Sequence, residues 1–179
     1  MTDPSDPGRP VPHHGSGPDN DPPKTTLVSG APVTDDHREL KPNGQQKDYV
    51  VLSASERAKG FVRPVRTSYQ HVGIPGPEFP LQDLTPEQQA AVDGRGYVKF
   101  EPYPPERLPQ LGRYWTQEQI DKIGKGCRTV TTMALPLAET YARDPFFYGG
   151  TFCCGCGVHL PVGPKGEFVW TGTEERVGT

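Results

Sequence analysis

The chain has 179 residues, 32% of them hydrophobic, with 22 prolines and 21 glycines. That length fits one domain of ordinary size, and an apolar content this low points to a partly disordered protein with a loop-rich folded part. A formal charge of −3 excludes a global electrostatic drive toward nucleic acid or anionic membranes, and no apolar run approaches the about 20 residues that a bilayer-crossing helix needs.

Residues 1–47 form the first compositional block, dominated by Pro, Gly, Asp, Asn and Ser. Such a segment buries too little apolar surface to offset its ordering entropy, so it is expected to be a disordered tail. His13 and His14 within it read as solvated histidines. The opening residues lack the basic-then-apolar pattern of a signal peptide, which implies a cytoplasmic protein. The four cysteines then stay reduced, and serve as metal ligands or free thiols rather than disulfides.

A small α+β domain is expected over residues 48–179, without the alternating βα units of a doubly wound sheet. It begins with the β-prone run Tyr49 to Leu52. Ser53 and Glu56 have capping-box spacing, which predicts a short helix ended by Gly60. Phe61 to Val65 reads as an edge strand, since Pro64 cannot donate to a ladder. Thr85-Pro86-Glu87-Gln88 is a second capping box and predicts a helix to about Val92. Tyr97 to Glu101 alternates as a strand does.

Thr116 and Gln119 form a third box, flanked by Trp115 and Ile120 at the two positions of a hydrophobic staple, so a helix runs over 117–123. Pro136 to Arg143 is a further helix, stopped by Asp144-Pro145. At the C-terminal end, Leu160 to Val162 and Glu167 to Trp170 are β-prone runs joined by Gly163-Pro164-Lys165-Gly166, a sequence suited to a hairpin loop.

Between the last helix and these runs lies Phe152-Cys153-Cys154-Gly155-Cys156-Gly157-Val158-His159. Cys153 and Cys156 have C-x-x-C spacing, which lets one turn aim both sulfurs at a single Zn²⁺. Glycines at 155 and 157 give the backbone the freedom such a turn needs. This resembles, over about ten residues, the knuckles of zinc-ribbon and rubredoxin-type proteins. A zinc ribbon supplies a second C-x-x-C and this chain has none, so the tetrahedral set must be completed from elsewhere. His159 is the expected third ligand and Cys127 the fourth, with His71 and Cys154 as rivals. Free thiols, a redox dithiol and a Cys nucleophile are the competing readings; a redox C-x-x-C starts a helix, and nothing after Cys153 favours one.

Arg57, Lys59, Arg63 and Arg66 lie within ten residues and are interleaved with Phe61, Tyr69 and His71. Basic groups beside aromatics can hold phosphates and stack bases, which makes Arg63 and Arg66 the nucleic-acid-binding candidates, against the plainer reading of a solvated basic face. Glu139 and Asp144 suggest an acid/base pair less than a helix and its stop. No P-loop, G-x-G-x-x-G, G-x-S-x-G or H-E-x-x-H motif occurs in the sequence.

The runs Tyr49 to Leu52 and Glu56 to Arg66, and the stretch from Ala138 through Phe147-Tyr148-Gly149 to the cysteines, resemble short proteins encoded by bacteriophages and prophages. The resemblance implies host cytoplasm as the setting and carries no assigned activity. The expected role is a small zinc-stabilised binding or adaptor protein working through protein or nucleic-acid contact. A metal- or thiol-dependent enzyme with an incomplete zinc site, and a virion structural or assembly component, are the alternatives.

Overall fold

The structure is a computed structural model and describes residues 22–107 and 109–179. His13 and His14 lie outside the described residues. The chain is α+β, with ten short strands in four small sheets and four short α-helices among the described residues.

Chain order begins with β1 (Thr25–Leu27), which pairs antiparallel with β2 (Val50–Leu52) through Thr25–Leu52 and Leu27–Val50. Residues 22–47, expected to belong to a disordered tail, are therefore folded onto the domain. The apolar pair that the composition hides, Leu27-Val28, carries the attachment: Leu27 is buried and Val28 donates its N–H to Tyr49 O. Helix α1 (Ala54–Arg57) follows, its first turn held by the Ser53 hydroxyl accepting from Glu56 N–H. Phe61 to Val65 is irregular chain rather than an edge strand. It lies along the end of a later helix, with the N–H groups of Val62 and Arg63 both donating to Ala142 O.

Strand β3 (Ser68–His71) buries Tyr69 and His71, two residues apart and so on the same face. It sits at the centre of a three-stranded antiparallel sheet between β7 (Val130–Thr132) and β10 (Phe168–Trp170). The register sets His71 opposite Phe168 and Tyr69 opposite both Trp170 and Thr131. Around it lies the main core of Tyr69, Tyr141, Cys153, Phe168, Trp170 and Val177. Burying each large apolar side chain of this set contributes about 1.5–3 kcal/mol. The longest helix, α4 (Leu135–Arg143), contributes Tyr141 to this core and also buries Ala138 and Ala142.

A second layer is built from β4 (Gln82–Asp83), β5 (Tyr97–Pro102) and β6 (Gly112–Thr116), with α2 (Pro86–Ala91) and α3 (Gln117–Lys122). Both helices begin with complete capping boxes, at Thr85–Gln88 and Thr116–Gln119. Inside this layer the Glu101 carboxylate is buried but fully engaged, accepting from the Trp115 indole N–H (2.9 Å) and from the backbone N–H groups of Glu78 and Phe79. It ties the 76–80 loop to the sheet. The two layers meet where Ile74 bridges Ile123.

The C-terminal hairpin is formed by β8 (Gly150–Cys153) and β9 (Val158–Pro161), with the cysteine-rich turn at its tip. The β-prone runs at 160–162 and 167–170 are joined by a closed turn, with Gly166 N–H donating to Gly163 O and Glu167 N–H to Pro161 O, but form no strand ladder with each other. The second of them is instead drawn into the central sheet, where β10 buries all three of its residues. No helix among the described residues is long and apolar enough to cross a membrane.

Candidate metal centre

Four ligand atoms converge between the central sheet and the hairpin: the imidazole of His71 and the thiols of Cys127, Cys153 and Cys156, all within 4.8 Å of one another. Each arrives on a different piece of backbone. His71 ends β3, Cys153 ends β8, and Cys156 sits in the turn after it. Cys127 comes from the segment between α3 and β7, where Arg128 adopts a left-handed φ of 63° and donates its N–H to His71 O. A non-glycine residue there is uncommon and turns the chain sharply. That turn delivers the Cys127 sulfur to the histidine.

The distances test whether one ion fits. Tetrahedral bonds of about 2.3 Å to sulfur and 2.05 Å to nitrogen set edges of about 3.8 Å between sulfurs and 3.5 Å between sulfur and nitrogen. His71 Nδ1 lies 3.4 Å from Cys127 Sγ, 3.7 Å from Cys153 Sγ and 3.4 Å from Cys156 Sγ. Cys127 Sγ and Cys153 Sγ are 3.4 Å apart. These four are close to edges of one tetrahedron, and the remaining two sulfur–sulfur separations stay within 4.8 Å, so the four side chains could hold one ion.

No protein-family model, curated protein or solved structure matches this chain. The site therefore has to be read from its own geometry.

Behind the histidine, Nε2 lies 2.8 Å from Glu167 Oε2, and both residues are buried. A carboxylate at this position holds the proton on Nε2 and leaves Nδ1 as the acceptor nitrogen beside the three sulfurs, where it takes the Cys127 N–H at 3.3 Å and would be a better donor to a cation. Phe168, next in sequence to Glu167, lies beside the imidazole at a centroid distance of 5.2 Å. The main chain also conforms to the site. Gly157 has a φ of 70°, and its N–H closes the turn onto Cys153 O. A Cβ at Gly155 would come within 2.3 Å of the Thr129 hydroxyl and 3.0 Å of Cys127 Sγ, so this position is reserved for glycine by close approach.

The protons that a cation would displace are unevenly held. Hydrogen bonding from Thr129 brings Cys127 down to about 6, with His71 and Cys153 assisting. Burial pushes Cys153 up, opposed by the backbone N–H groups of Cys156 and Gly155. Loss of solvent, with the neighbouring sulfurs adding to it, pushes Cys156 up to about 12. Three sulfurs in one space cannot all carry charge without a cation to balance them, which is the ordinary coupling of metal binding to proton release.

Of the four ligands expected from the sequence, Cys127, Cys153 and Cys156 come together, and the imidazole that joins them is His71. His159 lies one strand position beyond the turn, opposite Phe152, with Nε2 3.0 Å from the Tyr49 hydroxyl. The strand alternation of β9 points it away from the cysteines. Cys154 is held elsewhere as well: its N–H donates to Thr131 Oγ1 and its sulfur accepts from the same hydroxyl. Glu167 carried no motif in the sequence, and its role depends on β10 entering the central sheet. Arg66 is paired with Glu175 at 2.7 Å, and Arg63 donates to Thr179 O at 3.1 Å. The two guanidinium groups thus bind the C-terminal segment. Glu139 is paired with Arg57 at 2.7 Å, and the Asp144 carboxylate accepts from Phe146 N–H.

Proposed function

We propose that this protein is a small zinc-stabilised binding module whose metal is structural and whose biological action is contact rather than catalysis. The observation that carries the reading is the complete set of four protein ligands. A catalytic zinc keeps a position open for water or substrate, whereas a closed set of three cysteines and one histidine belongs to structural sites. Soft thiolates with one imidazole in tetrahedral array select zinc over magnesium, calcium or manganese. The reducing host cytoplasm that goes with the phage-type resemblance would keep these thiols available.

The first test is metal content with coordination. Purified under reducing conditions, the protein should carry about one zinc per chain, and X-ray absorption should return three sulfurs and one nitrogen. Cys127→Ser, Cys156→Ser and His71→Ala should each lose most of the metal, while His159→Ala should keep it. A metal-free preparation, or an oxygen ligand in the first coordination sphere of the native protein, would remove this reading in favour of free thiols or an open, reactive site.

A further inference from the structure

Between the 37–49 segment and the C-terminal hairpin lies a cavity of about 500 Å³. The segment contributes His37 and Arg38, from the turn at Asp35–Arg38, with Gln46 and Tyr49 from the chain that returns beside it. His159 of β9 stands on the hairpin side. The whole chain carries a charge of −3, yet no Asp or Glu lines this space. The acids nearest in sequence are engaged or turned away. Asp36 pairs with Lys47, and the Asp48 carboxylate accepts from Tyr49 N–H at 2.7 Å. Glu39 is exposed and lies outside the lining.

The basic and polar groups of the cavity keep bonding capacity in hand. Arg57, Arg66 and Arg107 are each paired with a carboxylate, whereas the exposed Arg38 guanidinium has no ion pair or hydrogen bond among the described residues. The Gln46 side-chain amide is likewise without a partner among them. Tyr49 Oη and His159 Nε2 lie 3.0 Å apart. If the hydroxyl donates, the neutral ring keeps its proton on Nδ1; if Nε2 donates, the hydroxyl proton is left over. One donor hydrogen of the pair is unspent in either case. His37 Nδ1 bonds to Thr34 O, and a carbonyl only accepts, so the proton sits on Nδ1 and the Nε2 lone pair remains.

This set distinguishes between anions. A carboxylate is planar and is matched by a single fork of donors, whereas a tetrahedral phosphate accepts from several directions. Here the donors come from two separate stretches of chain. With a second pKa near about 6, a phosphomonoester also carries a P–OH part of the time near neutral pH, and the His37 Nε2 lone pair can accept from it. An ionised carboxylate offers no such donor. The volume falls within the about 300–1,000 Å³ of small-molecule sites and leaves room for an organic group. Val50, Phe147 and Tyr148 supply apolar wall for that group.

From these we infer that the cavity binds a small phosphomonoester, with Arg38 as the cationic anchor of its phosphate and Gln46, His37 and the Tyr49–His159 pair around it. This deepens the reading of the protein as a binding module and does not depend on which metal the cysteines hold.

The test is titration of the metal-loaded full chain with phenyl phosphate, inorganic phosphate, benzoate and a phosphoserine peptide, followed by calorimetry and, for the phosphorus probes, by ³¹P NMR. Phenyl phosphate should bind at least tenfold more tightly than benzoate, which has the same ring and a planar anion. It should also bind more tightly than inorganic phosphate, which lacks the organic group. Arg38→Gln, at an exposed position, should weaken phenyl phosphate about tenfold or more. Arg63→Gln, which removes a guanidinium outside the cavity, should leave binding unchanged. No binding of phenyl phosphate, equal binding by Arg38→Gln, an equal loss in Arg63→Gln, or benzoate binding as tightly overturns the inference. A phosphoserine peptide binding at least tenfold more tightly than phenyl phosphate overturns the assignment to a small molecule. Metal content measured on the same sample keeps the two readings apart: failure to bind with one zinc per chain counts against this inference alone, and binding without zinc counts against the zinc reading alone.

Discussion

At His71, one side chain serves two structures. Its backbone belongs to the central strand and its ring to the sulfur cluster, so the carboxylate behind it controls both its orientation and its donor strength. Glu167→Gln keeps the shape and can still accept from Nε2–H, but removes the charge. Metal affinity should fall by about 10- to 100-fold while the stoichiometry at saturating metal stays the same, as competition with a chromogenic chelator would measure. An unchanged affinity would mean that Glu167 only fills space. At His159, burial depresses the pKa below the ordinary 6.5. The unfolded chain takes up a proton there at higher pH than the folded one does. This residue's contribution to stability is therefore present above about 6.5 and lost as pH falls through its lower folded value. The His159 ring should be less than half protonated by NMR at pH 6.5, where a free histidine is half protonated. Titration at or above 6.5 would show that Tyr49 stabilises the charged ring instead.

Among the elements, the helices form where local chemistry is self-sufficient. Thr116 and Gln119 exchange two hydrogen bonds at the start of α3, and both bonds are present. Thr116→Ala should cost about 1 kcal/mol in denaturant unfolding, within the about 0.5–2 kcal/mol range of such caps, and a loss below a few tenths would show that tertiary contacts alone hold α3. The same locality explains what the sequence could reveal. The cap at Ser53 and the boxes at Thr85 and Thr116 mark helix starts because each bond spans three residues. The strands β3, β7 and β10 are only three or four residues long, and their pairing joins segments some 60 to 100 positions apart, which no local pattern records. For that reason C-x-x-C was visible as a pair, whereas His71 could only be a rival to His159. The nearer histidine lies on the wrong side of a strand whose pleat becomes definite once β8 and β9 are in register. The Gly163–Gly166 loop does close as a turn, Gly166 N–H donating to Gly163 O, but burial of Phe168, Val169 and Trp170 in the central sheet carries the strand after it away from the run before it.

Across the whole molecule, the candidate metal ligands span β3 to the hairpin turn, whereas among the described residues the layer of β4, β5 and β6 contributes none. The two parts should therefore respond unequally to metal removal. Apparent structural-zinc energies of about 10–16 kcal/mol are as large as the whole stability of a typical domain, so with zinc in the cluster the part that holds it would depend on the ion. The second layer has its own buried anchor, Trp115 at 0% exposure, bonded to a Glu101 carboxylate that accepts from three donors. Hydrogen exchange before and after chelation would resolve the difference. Amides of 127–132 and 150–161 should lose most of their protection, those of 97–102 and 112–116 should lose little, and added zinc should restore the first group. Uniform loss across both layers would mean that the Ile74–Ile123 junction couples them into one cooperative unit. No change in either would mean that the cysteine cluster contributes nothing to holding the hairpin against the central sheet.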